Sequence, residues 1–438
     1  MRHVALFGTV LCGVAATPVL AVLGTAAARP APGPAPALTR HAAPAGNAAG
    51  PRGPRVVEYR GLRIPVPAGW EVHRLDQDPA RCVRYDRRAI YLGRPGPQPD
   101  CPARIVGRTE AVHVQPAGVD PASRTAVRGD ELATLRITPT VDHEMSLALP
   151  RAGVTITGVY GTDPARLQRV LRGAQVTKKW SAGPHPPEPS RTDFRRETPV
   201  PPEATAPTAQ DKKWVRGKGF DTCTAPSLAT MNAWRPSFEV TNIYIGGAAR
   251  GCAQPNLTRA WVREVREMGY RITPTYVGLQ APCGSRPQRF TAKNAAKQGR
   301  KAAVDAARKA KALGIPEGAP IYLDMEAYDI GKPRCRDAVL RFVDNWVRKL
   351  KKVGYTPCLY SSVKSGIRDV GRATGISKPV AIWFAHWNGK AEVYGDRYIP
   401  DHWWHPHRRI KQYRGDHREQ HGGVTLTIDS NIVDGRVY

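Results

Sequence analysis

Two acidic side chains, Asp324 and Glu326, stand one residue apart in the segment Pro320-Ile-Tyr-Leu-Asp-Met-Glu-Ala-Tyr328. The run before them is short, apolar and bulky, the pattern of a buried strand. A strand alternates its side chains, so residues two apart share a face. Two carboxyls on one face can divide a reaction between them. One stays neutral and protonates a leaving oxygen; the other stays ionised as base, nucleophile or stabiliser, as glycosidic-bond hydrolysis requires. Like charges held close push their pKa values apart, which assigns the roles. An isolated Asp-x-Glu is common at helix caps and in structural ion pairs, so its surroundings decide. Asp221 ends the strand candidate Gly219-Phe-Asp, Asp429 ends Leu426-Thr-Ile-Asp with Asn431 just beyond, and Gln412 and Tyr413 end another.

Eight such strand candidates follow one another: 219–221, 241–246, 271–277, 320–326, 355–361, 380–385, 409–413 and 426–429. Between several of them lie amphipathic helices at 257–268, 293–313 and 335–353, the last two ending at Gly314 and Gly354. The alternation predicts an α/β domain over 214–438, a (β/α)8 TIM-like barrel with its carboxylates at the C-terminal ends of the strands. A doubly wound open sheet is the competing architecture. No Gly-x-Gly-x-x-Gly follows the first strand, which weakens its dinucleotide-binding form.

Aromatic side chains near strand ends are candidates for stacking on sugar faces: Tyr276, Tyr328, Tyr360, Trp383, Trp387 and Tyr413. His386, Gln412 and Asn431 are candidates for holding hydroxyls. Any single aromatic can equally serve the core. Neighbouring strands place their following loops side by side, so the order of the cysteines predicts the disulfides Cys223–Cys252 and Cys283–Cys335 at the rim. Cys358 lies inside a strand and is expected to be a buried free thiol. No His-Glu-x-x-His and no Cys-x-x-Cys is present, and neither metal nor cofactor is expected.

The chain has 438 residues, enough for two domains and linkers. Residues 1–28 read as a secretory signal peptide: Arg2 and His3, an apolar stretch, then Ala26-Ala27-Ala28. No later stretch is apolar enough to span a membrane. Residues 29–54 form an Ala/Pro/Gly tether, 55–178 a small α+β domain of unknown function, and 179–213 a proline-rich linker. In the small domain Cys82 and Cys101 are expected to pair, and Asp163-Pro164 to open a helix. Lys and Arg number 66 against 37 Asp and Glu, a formal charge of +29. Such a field favours anionic partners, including anionic cell-wall polymers. No nucleic-acid module interleaves aromatics with the basic residues, so nucleic acid is not an expected partner.

Six segments occur in an order that carries a family resemblance. They are Gly219-Phe-Asp-Thr-Cys-Thr-Ala-Pro-Ser227, Ile243-Tyr-Ile-Gly-Gly247, Tyr276-Val-Gly-Leu-Gln280, Ile321-Tyr-Leu-Asp-Met-Glu-Ala-Tyr328, Tyr360-Ser-Ser362 and Ile428-Asp-Ser-Asn431. Residues 218–434 resemble the glycoside-hydrolase-like barrel domain of secreted bacterial proteins and, more distantly, the β/α-barrel muramidases that cleave peptidoglycan. The resemblance implies Glu326 as general acid, with Asp324, Asp221 and Asp429 orienting or stabilising. It implies polysaccharide or peptidoglycan as substrate and the extracellular space or cell envelope as location. The alternative is a catalytically silent carbohydrate- or wall-binding protein that keeps the same groove. A third reading is an envelope scaffold acting through the small domain.

Overall fold

A computed structural model describes residues 55–117, 125–126, 129–177 and 214–438. The expected signal peptide, tether and proline-rich linker lie outside the described residues. The N-terminal part opens with β1 (Arg55–Tyr59) and β2 (Leu62–Val66), followed by β3 (Glu71–Arg74), β4 (Ala89–Leu92) and β5 (Ala111–Pro116). Then come β6 (Thr125–Ala126), β7 (Glu144–Leu149), β8 (Val154–Val159), helix α1 (Ala165–Arg172) and β9 (Gln175–Val176). Two sheets result, β1-β2-β9 and β3-β4-β5-β8-β7-β6. Ile64, Ile90, Val112, Ile156, Leu167 and Leu171 close one core between them. At the start of α1, Asp163 Oδ1 accepts from the Ala165 amide at 3.0 Å.

The C-terminal part is built from β10 (Trp214–Asp221), α2 (Leu228–Trp234), β11 (Val240–Gly246), α3 (Arg259–Glu267), β12 (Arg271–Tyr276), α4 (Ala295–Ala312) and β13 (Pro320–Met325). It continues with α5 (Pro333–Lys352), β14 (Thr356–Ser362), α6 (Arg368–Arg372), β15 (Ala381–Ala385), β16 (Arg409–His421) and β17 (Val424–Arg436). The eight strands from β10 to β17 close into a barrel in sequence order. Their signals are local. Ser227 and Thr258 cap α2 and α3 by accepting amides from Thr230 and Trp261, and Pro333 opens α5 where its missing N–H has no partner to lose.

The barrel is not the helix-alternating (β/α)8 barrel that the sequence predicts. Strands β10 to β16 run parallel, but β17 is antiparallel to both its neighbours, β16 and β10. Helices occupy the first five connections; the 386–408 connection is turns, and β16 passes directly into β17. The cause is the turn Gly422-Gly423, whose φ values of 53° and 78° are both positive. Two consecutive left-handed residues make the tight hairpin turn that matches strand twist. A two-residue link can only reverse the chain, because a parallel return needs a dozen residues or more. The strands also run on beyond the expected 409–413 and 426–429, to thirteen residues each.

Two faces of the barrel carry two cores. Tyr322, Cys358, Trp383, Ile410 and Val433 fill the interior. Ile321, Leu323 and Met325 alternate outward and join Phe342, Val343 and Trp346 of α5. Three disulfides are present, Cys82–Cys101, Cys223–Cys252 and Cys283–Cys335, and Cys358 is a buried free thiol. Helices α4 and α5 approach closely at Gly299, where an added Cβ would lie 2.4 Å from the Phe342 carbonyl oxygen. Gly299→Ala therefore sets two effects against each other. Helix propensity favours alanine by about 1 kcal/mol, whereas overpacking against backbone costs about 1–3 kcal/mol. The overlap is with a backbone atom that cannot swing away, so the variant is expected to be less stable. A urea unfolding midpoint at or above wild type would contradict this packing.

Candidate functional site

Interior alternation brings the acids to one end of the barrel. Asp221 ends β10, Asp324 lies near the end of β13, Glu326 follows it, and Asp429 lies in β17; all four are buried. Two amides tie the aspartates together. Asn431 donates to Asp221 Oδ1 at 2.6 Å. Gln412 Nε2 donates to Asp221 at 3.1 and 3.2 Å and to Asp429 Oδ2 at 3.1 Å. Gln412 Oε1 accepts from the Tyr360 hydroxyl at 3.0 Å and from Trp387 Nε1 at 2.9 Å. With donors on one side and carboxylates on the other, the amide has one consistent orientation. Trp383 Nε1 fixes Asn431 in the same way at 2.8 Å, and Tyr244 donates to Asp221 Oδ2 at 3.3 Å.

Glu326 stands above this floor. Its backbone amide donates to Gln280 Oε1 at 2.7 Å, while Gln280 Nε2 donates to the Asp324 carbonyl at 2.9 Å. One glutamine thus clamps the backbone on both sides of the acidic pair. Arg286 donates to Glu326 Oε2 at 2.8 Å. On the other side stands Arg104, from the N-terminal part, 3.3 Å from Glu326 Oε1. Arg104 also donates to the Tyr360 hydroxyl and lies 5.5 Å from the Trp387 ring centre. Asp324 Oδ1 and Glu326 Oε1 are buried without a hydrogen-bond partner among the described residues.

Glu326, Tyr360, His386 and Trp387 line a cavity of about 400 Å³ at this rim. His386 is held by Asp396, Nδ1 to Oδ2 2.6 Å. The other expected site residues divide. Trp383, Gln412 and Asn431 form the hydrogen-bonded floor. Trp387 is the aromatic with an open face, 55% exposed. Tyr276 is turned out of the barrel: its hydroxyl donates to Asp305 of α4 at 2.8 Å and its ring packs on Trp346. Tyr328 donates to Asp369 at 2.7 Å, behind the rim. Tyr413 falls at a register shift of β16, between Gln412, which pairs with Asn431, and Arg414, which pairs with Ser430. Sequence reasoning missed Tyr244, Gln280, Arg286 and Arg104. The flanking outward Ile243 and Ile245 mark Tyr244 as inward; nothing local marks the two arginines.

Burial raises the pKa of Asp324 well above the ordinary carboxylate range, and the Glu326 charge raises it further. Burial likewise raises Asp221, against the pull of Asn431 and Gln412. Asp429 is raised by burial and then by Asp221. These groups titrate together and belong to one cluster.

An eight-stranded barrel with an acid cluster under one rim is thus the frame of the site. Residues 232–433 match the family model of the Rv2525c-like, glycoside hydrolase-like domain. Comparison with curated proteins returns no match. Among solved structures, an uncharacterized B. stearothermophilus protein is 21% identical, covering 50% of this chain and 99% of that one, with a TM-score of 0.35. The Clostridium perfringens spore cortex lytic enzyme SleM is 15% identical, over 45% of this chain and 60% of its own, at 0.31. The catalytic domain of endolysin ply40 from bacteriophage P40 of Listeria monocytogenes is 12% identical, over 50% and 93%, at 0.32.

For all three aspartates the folded pKa lies above the unfolded one. Their contribution to stability is complete below about pH 4 and is lost as pH rises through the raised values. Asp324→Asn keeps the shape and removes the titration. Its melting temperature relative to wild type is expected to climb from pH 5 to pH 9, each pH unit of elevation being worth about 1.4 kcal/mol. A difference that does not change with pH would mean that Asp324 ionises normally in the fold.

Proposed function

We propose that this chain is an exported glycosidase of cell-wall or other extracellular polysaccharide, with peptidoglycan the first substrate to test. The observation that carries the reading is the pairing of Glu326, which opens onto the cavity, with Asp324, which is buried behind it on the same face. Glu326 is the carboxyl that reaches a bound sugar and exchanges a proton with the glycosidic oxygen. Asp324 acts through Glu326, whose charge adds to burial in raising the Asp324 carboxyl. Asp221 and Asp429, held by Gln412 and Asn431, orient the site and, in their ionised form, stabilise positive charge that develops on the sugar ring. Trp387 offers the stacking face. The family match over residues 232–433 supports the class of chemistry. Export rests on residues 1–28, and among the described residues no helix is long and apolar enough to cross a membrane. The net charge of +29 would hold the protein on anionic wall polymers.

One observation favours a second reading, a binding protein without turnover. Both oxygens of Glu326 face a guanidinium, Arg286 on one side and Arg104 on the other. Reducing-sugar release from purified peptidoglycan and a panel of polysaccharides separates the two. Wild type is expected to release sugar, and Glu326→Gln to lose about 10²–10⁴-fold in rate with an unchanged circular dichroism spectrum. No release from any substrate, with saccharide binding retained in both proteins, would establish the binding reading instead.

A further inference from the structure

Arg104 reaches the acid cluster from outside the barrel, and the segment carrying it is firmly seated. Residues 83–85 and 105–107 pair with the loop 249–253 through two isolated antiparallel bridges, Arg84 with Cys252 and Val106 with Arg250. Tyr85 N donates to Gly251 O at 2.8 Å, Ala253 N to Val83 O at 3.1 Å and Gly107 N to Ala249 O at 2.7 Å. Next to this ladder, Arg108 and Gln288 exchange two hydrogen bonds of 2.7 and 2.8 Å. Glu144 sits between Arg108 and Arg250 at 3.0 and 2.9 Å. Burial alone would raise the Glu144 carboxyl, but Arg250 and Arg108 outweigh it and pull it down to about 2. The disulfides Cys82–Cys101 and Cys223–Cys252 pack on each other beside it. A buried, charge-paired and backbone-laddered junction is a fixed wall, not a latch.

The side chain at the end of this wall stands between two cavities. One, of about 400 Å³, contains Glu326. The other, of about 350 Å³, lies against Asp429, Asp416 and Arg286. Arg104 and Trp387 line both. Arg104 and Trp387 therefore form the boundary that the two cavities share.

The geometry points to a partitioned site, in which Arg104 and Trp387 stop a glycan at the wall, so that the barrel takes the end of a saccharide chain and not its interior. This deepens the proposed function and rests on it. Each cavity has the size of a small-ligand pocket and not of a trough for a polymer. Arg104 is then a specificity-determining residue contributed by the N-terminal part, fixed by Glu326 and Tyr360 and by stacking on Trp387.

The test is isothermal titration calorimetry of the full chain with N-acetylglucosamine oligomers from the disaccharide to the octasaccharide. Wild type, Arg104→Ala and Arg104→Lys are compared. Wild-type affinity is expected to stop rising at a short oligomer. Arg104→Ala is expected to go on gaining with length, ending about tenfold tighter for the longest oligomer than for the shortest, with Arg104→Lys between. The length profile is a readout that a general loss of stability would not reshape, and Arg104→Lys keeps the charge if the alanine variant folds poorly. Equal profiles in all three proteins, or a wild type that gains up to the octasaccharide, overturn the partition and leave the proposed function standing. Absence of binding by all three at millimolar oligomer overturns the partition, and the proposed function falls separately only if no polysaccharide of the panel is cleaved or bound.

Discussion

A carboxylate taken out of water without a partner costs several kcal/mol, and this barrel buries two aspartates in one amide network, a third aspartate near them and a glutamate above. Everything at the rim answers that constraint. The protein supplies neutral donors at the floor, from Gln412, Asn431 and Tyr244, and cations at the top, from Arg286 and Arg104. Donors alone do not offset the desolvation, so the aspartates are left protonatable at pH values where a surface carboxyl is fully ionised. A cluster that can hold protons near neutrality is what acid–base chemistry requires. Asp324 Oδ1, buried without a hydrogen-bond partner among the described residues, is the point at which this accommodation stays incomplete.

The way the barrel closes serves the same end. Because β17 returns antiparallel, its inward residues Asp429 and Asn431 stand directly beside Gln412 of β16 and Asp221 of β10. Register pairs Gln412 with Asn431 and Asp221 with Asp429 across the two seams. Two acids and two amides thereby meet across the two seams, Gln412 donating to both acids and Asn431 to Asp221. A helical crossover in place of the turn would separate these residues.

Much of this was legible in the chain. Period-two alternation puts Asp324 and Glu326 on one face, and the same rule places Asp221, Asp429 and Gln412 correctly. It was not applied to Tyr276, whose parity with Ile272 sends it outward against α4, or to Tyr244, whose parity sends it inward. The strands and helices from β11 to α5 were marked by apolar periodicity and terminal glycines. The hairpin was misread as a parallel return, although only twelve residues separate Tyr413 from Leu426 and two of them are Gly422-Gly423. Arg104 could not have been found this way. It lies far from Glu326 in sequence and in a different sheet system, and its role depends on tertiary docking that no local pattern encodes.

The hairpin also reaches past the barrel. Asp416, on its outgoing strand, accepts the Ala103 amide at 3.0 Å, and Arg418 stands 3.6 Å from Asp100. The departure from a regular barrel and the wall at its mouth are therefore one feature, since the arm made by β16 and β17 holds the very residues that lead to Arg104. Ala103 and Asp416 lie 313 residues apart in the chain, so the wall is set only once the C-terminal strands have folded against residues 100–104, and a barrel that lacks the hairpin lacks its finished mouth.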